Sequence, residues 1–169
     1  MELQIMSVAK SQNELDIHTL PVAARVELRD DFLRTIGELA DEAGIRLYVV
    51  GGYVRDLMRE APRKDLDFTV IGDALAFAHL VAERFHSKIV VYERFRTALV
   101  PIGDYHCEFV GTRKEEYLPE TRKPIVSEGT LEDDLRRRDF TVNAMAVSIN
   151  ASTFGDLIDI FDGREDMQR

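Results

Sequence analysis

A short apolar strand that ends at two glycines is the feature that most constrains the fold of this chain. The pattern predicts a buried strand over Arg46–Val50, which Gly51-Gly52 interrupts before a short helix begins. A second strand is predicted from Leu66 to Ile71, with Asp65 and Asp67 at its beginning. Glycines let a backbone approach a phosphate, and the N–H groups of a helix start attract anions. The stretch therefore predicts a turn suited to phosphate beside a pair of carboxylates.

The rest of the chain predicts helices and strands in one mixed domain. Apolar residues at steps of three and four predict a helix from Ala23 to Ala43, and Asp73 is placed to cap another. Further strands are predicted at Lys88–Tyr92, Thr97–Ile102 and Tyr105–Val110, the last two joined by a hairpin turn. This order favours an α/β (mixed α+β) fold, with a mixed sheet and helices mainly on one face.

Two segments give weaker patterns. The charged stretch Arg113 to Glu128 contains two prolines and is predicted to be a long loop. The apolar stretch Phe140 to Ile149 fits a helix or a strand by its period. Residues 1–22 show no sustained period and are predicted to be an arm ahead of a single domain, residues 23–169.

Charge and cysteine content exclude some classes of protein. The 169 residues include 22 basic and 31 acidic residues, a net charge of −9, which argues against a broad nucleic-acid-binding surface on this segment. The single cysteine, Cys107, excludes an internal disulfide and favours a reducing compartment. The first residues show neither a basic region nor a long apolar run, so we expect a soluble cytoplasmic protein without a signal peptide or membrane span.

Asp65 and Asp67 are candidate metal ligands. Carboxylates at positions i and i+2 of a strand point to the same face, where together they can hold a divalent cation. The alternative is a solvated turn ahead of a strand, since Asp is common at loop ends. The apolar neighbours Leu66 and Phe68 favour the metal site, because two unpaired like charges beside them would be costly.

Glu108 is a candidate third acid. It lies within Tyr105–Val110, an otherwise apolar run, and a carboxylate there needs a partner unless its strand is an exposed edge. Both readings remain open from the residues alone.

The basic candidates are Arg55 and the run that ends at Arg138. Arg55 follows Gly51-Gly52 by one helical turn, so its guanidinium and the backbone N–H groups could face a triphosphate; the alternative is a tight turn with an exposed arginine. Arg138, Asp139 and Asn143 lead into an apolar segment, and we expect them to be half buried and fixed by partners or ligand. A helix would place Asp139 and Asn143 on one face, although a run of charges is usually a salt-bridged surface.

The histidines and the cysteine show no spacing typical of a metal or nucleophilic site. We interpret them as structural; they are His18, His79, His86, His106 and Cys107.

Four segments, taken together and in this order, resemble the head domain of class II nucleotidyltransferases, which are the bacterial-type CCA-adding tRNA nucleotidyltransferases and poly(A) polymerases. They are Gly51–Asp56, Asp65–Asp67, Glu108–Glu115 and Arg137–Ala144. Leu157–Gly163 is similar to the segment that closes this head, and the resemblance extends from about residue 26 to the end of the chain.

The resemblance implies a polymerase-β-like nucleotidyltransferase fold and a role for each candidate. Asp65 and Asp67 would bind Mg²⁺, with Glu108 as the third catalytic carboxylate. One metal ion would activate an RNA 3′-hydroxyl, and the other would neutralise charge on the triphosphate and departing pyrophosphate. The glycine pair and Arg55 would contact phosphate. Contacts to the nucleotide would come from Arg138 and from Asp139, the latter reading the ribose 2′-hydroxyl, with Asn143 in support.

The implied activity is template-independent transfer of nucleoside monophosphates from CTP or ATP to an RNA 3′ end, above all CCA addition to tRNA. Poly(A) polymerase, CC-adding and A-adding enzymes are alternatives within the class, and a non-catalytic nucleotide-binding module is an alternative outside it. We expect a head-domain fragment whose neck, body and tail, which would grip the tRNA, lie elsewhere.

Two features depart from the family pattern. Arg96 stands in Phe95-Arg96-Thr97 where the family usually shows Phe-Gly-Thr, which puts a tight backbone turn in doubt. The segment Glu132–Arg136 looks like the family's Glu-Asp-x-x-Arg base selector, but it lies upstream of the Asp-Gly turn, so we do not assign it that role.

Overall fold

The computed structural model describes residues 20–61, 63–116 and 125–169. Its helices are α1 (Asp31–Glu42), α2 (Gly52–Met58), α3 (Ala74–Arg84), α4 (Leu131–Arg136) and α5 (Gly163–Asp166). Its strands are β1 (Val22–Arg25), β2 (Arg46–Val50), β3 (Asp65–Ile71), β4 (Val90–Tyr92), β5 (Thr97–Ile102), β6 (Tyr105–Gly111), β7 (Arg113–Glu116), β8 (Ile125–Glu128), β9 (Ala146–Ser148) and β10 (Asp156–Ile158).

Eight of these strands form one mixed sheet, and the strands that bear the candidate acids lie inside it. The order is β1-β10-β9-β2-β3-β6-β5-β4, and β7 pairs separately with β8. Strand β3 runs parallel to β6, while β2 with β3 and β5 with β6 are antiparallel. The chain between β3 and β6 supplies α3, β4 and β5, which is the long crossover that a parallel pair needs.

Alternation along β3 and β6 divides apolar from polar side chains. Leu66, Phe68 and Val70 of β3 and Phe109 of β6 are fully buried in the main core, to which α1, α2 and α3 also contribute buried residues. Because successive strand residues point to opposite faces, the acids of β3 and β6 lie on the other face. The sheet with three helices on one face confirms the predicted fold class.

The other face is covered only in part by α4. Leu131 and Leu135 of this helix pack with Val50, Ala146 and Ile158 from β2, β9 and β10. The face above β3 and β6 is left as a cleft, in which the candidate site lies.

Two predictions about the elements were wrong, and the structure settles a third stretch that the sequence left open between helix and strand. The helix predicted from Ala23 to Ala43 is a strand followed by α1, because β1 pairs with β10 and Asp30 caps the helix only afterwards. Much of Arg113–Glu128 forms the antiparallel pair of β7 and β8 rather than a loop, with residues 117–124 outside the described residues. The stretch Phe140–Ile149 contains a 3₁₀ turn, Thr141–Asn143, and a strand, so Asp139 and Asn143 do not share a helix face.

Strands β2 to β6 and helices α2 and α3 were predicted to within a few residues, whereas β10 and α5 were not predicted. The arm predicted for residues 1–22 falls mostly on residues 1–19, which lie outside the described residues. Among the helices that the structure describes, none has the length and apolar character needed to cross a bilayer.

Candidate active site

The candidate acids come together at the centre of the sheet. Asp67 of β3 and Glu108 of β6 are partners in the parallel strand pair, and Asp65 is the partner of His106. Strand β6 lies between β3 and β5, so the alternative that Glu108 occupies an exposed edge strand is wrong. Asp67 and Glu108 are half buried, whereas Asp65 is exposed at the start of β3.

The environment opposes the charged form of both central carboxyls. Burial raises the pKa of Asp67, and the neighbouring Asp65 raises it further, whereas Arg138 acts in the opposite direction. Burial likewise raises the pKa of Glu108, with a second contribution from Asp67. Asp65 thus raises the pKa of Asp67, and Asp67 raises the pKa of Glu108, so a cation would stabilise this group of carboxylates.

The acids fit a cation that takes only some of its ligands from protein. Within the part of the chain that the structure describes, no group of three or more His, Cys, Asp or Glu side chains is arranged to hold a metal ion by itself. Small divalent cations such as Mg²⁺ are held by one or two carboxylates together with substrate phosphates and waters. The donor set of Asp65 and Asp67, with Glu108 adjoining, fits that pattern and does not fit a structural cage.

Arg138 faces these acids and is held in place by a buried aspartate. Asp134 of α4 is 1% exposed; it accepts hydrogen bonds from Thr69 Oγ1 at 2.9 Å, Arg137 Nη2 at 2.6 Å and Arg138 Nη2 at 3.1 Å. Burial alone would raise the pKa of Asp134, but Arg138 and Arg137 outweigh it and hold that pKa below its usual range.

One buried atom of Arg138 has no hydrogen-bond partner. In the described ranges, its Nε is the sole buried side-chain nitrogen or oxygen without a hydrogen-bond partner. Buried donors of this kind are uncommon, because a buried polar group without a partner costs free energy. The predicted nucleotide contact of Arg138 would satisfy this donor.

Gly51 lies between Arg138 and Asp67. Its φ is +70°, and a Cβ built on it would lie 3.0 Å from Arg138 Nη1 and 3.6 Å from Asp67 Oδ2. Helix α2 begins at the next residue, Gly52, and the first N–H groups of a helix have no acceptor within it. A side chain at residue 51 would therefore crowd the space between the cation and the acid.

Arg55 is fixed at the same end of α2. Its Nη1 donates to Asn143 Oδ1 at 2.9 Å, and its Nε donates to Asp56 Oδ1 at 2.9 Å. Asp56 is buried and also pairs with Arg63, and the hydrogen bond from Arg55 lowers the pKa of Asp56. Asn143 therefore positions Arg55, and its role in support of nucleotide binding stays a prediction.

The cleft above these residues has a volume of about 500 Å³. The predicted site residues that line it are Asp67, Glu108, Arg138, Asp139 and Asn143. Asp65 and the glycine pair border it rather than line it, and Arg55 reaches it through Asn143.

Sequence reasoning missed three residues of this site. Phe140 lines the cleft and is 67% exposed, which is unusual for a large apolar side chain. Thr69 and Asp134 hold Arg138 from outside the cluster of motifs. The position of Thr69, two residues beyond Asp67 on the same strand face, was the available signal for that residue.

The closing segment of the chain supports the turn that carries Asn143. Gly163 at the start of α5 lies directly against the carbonyl of Thr141, where any Cβ would collide. Asp159 accepts hydrogen bonds from the backbone N–H groups of Gly163 at 2.7 Å and Arg164 at 3.0 Å. The segment therefore acts through backbone packing and not through contact with the cleft.

Arg96 keeps the turn that its glycine counterpart would form. Its φ is +50°, in the left-handed region, and its carbonyl accepts from Gly111 N at 3.2 Å. The departure from Phe-Gly-Thr thus changes the side chain and preserves the backbone path.

Comparison with known proteins agrees with this geometry. The Poly A polymerase head domain family matches residues 47–169. An A-adding tRNA nucleotidyltransferase of Geobacter sulfurreducens is 40% identical over 137 residues, covering 80% of this chain and 16% of that protein. A CCA-adding enzyme of Lactobacillus delbrueckii subsp. bulgaricus is 36% identical over 134 residues, covering 78% of this chain and 32% of that protein.

A solved structure agrees as well. The crystal structure of a tRNA nucleotidyltransferase complexed with a primer tRNA and an incoming ATP analog matches with a TM-score of 0.68 and 40% identity, over 79% of this chain and 36% of that one. The chain spans a third or less of the length of the Geobacter and Lactobacillus relatives. The family match over residues 47–169 and these relatives show that the chain belongs to the Poly A polymerase head domain family.

Proposed function

We propose that this chain is the catalytic head of a template-independent nucleotidyltransferase that adds nucleotides to the 3′ end of tRNA. CTP and ATP are the nucleotide substrates, and pyrophosphate is the second product. One observation supports the proposal above all: Arg138, a cation, and Asp67, a carboxylate, lie on either side of Gly51. A nucleoside triphosphate needs both a cationic contact and a carboxylate-held metal ion, and the cleft offers them side by side.

Enzymes of this family use divalent metal ions, and we propose Mg²⁺ here, with Asp65 and Asp67 as its protein ligands. When bound, Mg²⁺ supplies charge neutralisation for the triphosphate and activation of the acceptor hydroxyl. Glu108 lies beside Asp67 on the next strand, where a carboxylate can accept the proton that the hydroxyl loses.

The chain's own residues bind and orient the nucleotide. Arg138 lines the cleft and offers its guanidinium to the ligand, while Asp134 keeps the guanidinium from turning away. The backbone at the start of α2 approaches the phosphates because neither glycine presents a side chain. Arg55 adds a second cation that Asn143 holds in place, and Asp139 is placed in the lining to accept from a ribose hydroxyl.

A-addition is a second candidate within this class. The A-adding relative is 40% identical to this chain, and the CCA-adding relative is 36% identical. The solved tRNA nucleotidyltransferase that is complexed with a primer tRNA and an incoming ATP analog is also 40% identical to this chain. We retain CCA addition as the broader proposal and treat addition of the terminal A alone as its closest competitor; a cytoplasmic location accompanies both.

One experiment separates these candidates. The intact protein is given labelled CTP or ATP with tRNA lacking CCA, with tRNA ending in CC, and with oligo(A). CCA addition predicts incorporation of both nucleotides into the first tRNA. Incorporation of ATP into tRNA ending in CC, with no incorporation of CTP into tRNA lacking CCA, assigns A-addition, and efficient extension of oligo(A) without preference for tRNA assigns poly(A) synthesis. Binding of nucleotide without incorporation into any of them supports the non-catalytic module instead.

A further inference from the structure

The sheet face that carries the acids continues beyond them to the edge of the sheet. Glu108 of β6 is the partner of Leu99 on β5, and Leu99 is the partner of Val90 on β4. Residues that are partners across neighbouring strands point to the same face. Val90 and Leu99 therefore extend the row formed by Asp67 and Glu108.

This edge is apolar and exposed. Val90 is 48% exposed and Tyr92 is 46% exposed, and Leu99 is half buried. Tyr92 is the partner of Thr97, which is the partner of Val110, so Tyr92 shares the face as well. We call Val90, Tyr92 and Leu99 the edge shelf. Exposed large apolar side chains that adjoin a polar cleft indicate a binding surface.

The nucleotide contacts lie on the opposite side of Asp67. Gly51 and Asn143 adjoin β2 and α2, and Arg138 reaches over them from α4. In phosphoryl transfer the attacking and leaving oxygens are roughly in line with the phosphorus. An acceptor hydroxyl must then approach from the side of β6, which is the side of the edge shelf.

The spacing fits a strand of RNA. Val90 is two strands beyond Glu108, about 10 Å at the usual separation of neighbouring strands. The shelf therefore underlies the bases next to the reacting 3′-hydroxyl and not the hydroxyl itself.

Local charge also suits a phosphate backbone. Three basic side chains flank β4, namely Lys88, Arg94 and Arg96, with Glu93 the one acidic residue among them, in a chain whose net charge is −9. Arg94, at the end of β4, is exposed and lies 5.8 Å from the ring centroid of Phe95. Clustered cations beside an aromatic surface are typical of proteins that bind single-stranded nucleic acid.

We propose that the edge shelf binds the last bases of the acceptor RNA, with one base stacked on Tyr92 and the adjacent backbone near Arg94. The proposal rests on the proposed nucleotide transfer and assigns the acceptor side of that same site. Val90 and Leu99 supply apolar contact beneath the bases, so the contact is tolerant of base identity.

Steady-state kinetics of the intact protein test the shelf. Tyr92→Ala is expected to raise the KM for the RNA acceptor about tenfold, the size of one stacked base, while the KM for the nucleotide stays within twofold. Tyr92→Phe keeps the ring and is expected to keep the wild-type KM. Val90→Ala is compared with Val22→Ala, because Val22 is a valine of similar exposure, 51%, at the other edge of the sheet. Only Val90→Ala is expected to raise the KM for RNA.

A binding assay gives a readout that does not depend on turnover. An RNA whose last base is 2-aminopurine is expected to lose fluorescence on binding to wild type and Tyr92→Phe, and to keep it with Tyr92→Ala. Equal quenching by all three proteins would overturn the proposal, as would an unchanged KM for RNA in Tyr92→Ala. A dimer seen by sedimentation that Tyr92→Ala dissociates, without change in RNA binding, would assign the shelf to a second copy of the chain and overturn it too. If wild type incorporates no nucleotide, the proposed function fails by that result, while quenching still decides the shelf.

Discussion

Asp67 of β3 and Glu108 of β6 face each other across a parallel strand pair at the centre of the sheet. The sheet brings them together although 40 positions separate them in the sequence, because α3, β4 and β5 form the crossover between the two strands. Burial raises the pKa of both carboxyls, Asp67 raises the pKa of Glu108 further, and Arg138 opposes the shift of each. The fold thus holds two carboxylates whose charged forms are disfavoured at the place where a metal-bound substrate would stabilise them.

Neutralising Asp67 is expected to stabilise the metal-free protein. Burial and the nearby Asp65 disfavour the charge of Asp67. Asp67→Asn removes that charge and its electrostatic cost while keeping the shape of the side chain. Thermal unfolding without divalent ions is expected to show a higher Tm for Asp67→Asn than for wild type. The control is Asp104→Asn in the exposed β5–β6 turn, which should leave the Tm within about 1 °C, as surface changes do. A lower Tm for Asp67→Asn would contradict the electrostatic account.

Stability should also depend on pH in the direction set by these two acids. A carboxyl whose pKa is raised by folding binds more protons in the folded state than in the unfolded state. The free energy of unfolding then falls as the pH rises from the unfolded pKa of about 4 through the raised folded value. Denaturant titrations of wild type, Asp67→Asn and Asp67→Asn/Glu108→Gln check this. The free energy of unfolding of wild type, minus that of the double variant, should fall as the pH rises across that window. A difference that does not change with pH would contradict the prediction.

Removing the carboxylate of Asp134 should cost both stability and nucleotide affinity. It leaves two arginines without their buried partner, and breaking such a pair costs about 3–5 kcal/mol. Asp134→Ala is therefore expected to lower the free energy of unfolding by that order. In protein that remains folded, the KM for the nucleotide should rise, because Arg138 is no longer held.

Glu132→Ala is the matched control for Asp134→Ala. Glu132 lies on the same helix and pairs with Arg136, but both side chains are substantially exposed, so the loss should be below about 1 kcal/mol. Equal effects of the two substitutions on the nucleotide KM would show that Asp134 does not position Arg138.

Replacing Arg96 by glycine should stabilise the fold. Arg96 adopts φ of +50°, where a residue with a Cβ is disfavoured by about 1–2 kcal/mol relative to glycine. Arg94→Gly, in the preceding 3₁₀ turn without a positive φ, is the control and should destabilise slightly because of the added chain entropy. Denaturant unfolding measures both, and a loss of stability in Arg96→Gly would mean that the side chain contributes more than its backbone strain costs.

The local pattern of the sequence predicted the elements that carry the acids. The alternation of Asp65, Leu66, Asp67 and Phe68 specified which faces of β3 are polar and apolar, and the structure places them so. Pairing over long distances was beyond that pattern. The predicted helix extended back to Ala23, yet the pairing of Val22–Arg25 with β10 at the other end of the chain makes that stretch a strand.

The same distinction applies to the site. The residues that motifs identify, such as Gly51 and Arg138, do lie together. The residues that hold them in place were not predicted, because Asp134 and Thr69 belong to no motif and meet only when α4 packs on the sheet. Phe140 was read only as the start of an apolar stretch and is exposed in the cleft, where a 3₁₀ turn follows it directly.

The most direct test of the central claim compares incorporation by wild type and by Asp67→Asn in the intact protein. Labelled ATP and CTP are supplied with Mg²⁺ and tRNA lacking CCA, and thermal unfolding confirms that both proteins are folded. We predict that wild type extends the tRNA with release of pyrophosphate and that Asp67→Asn, although folded and at least as stable, loses at least about a hundredfold in rate, the scale of a lost electrostatic contribution to catalysis. Turnover at the wild-type rate by Asp67→Asn would contradict the assignment of this carboxylate, and with it the proposed site.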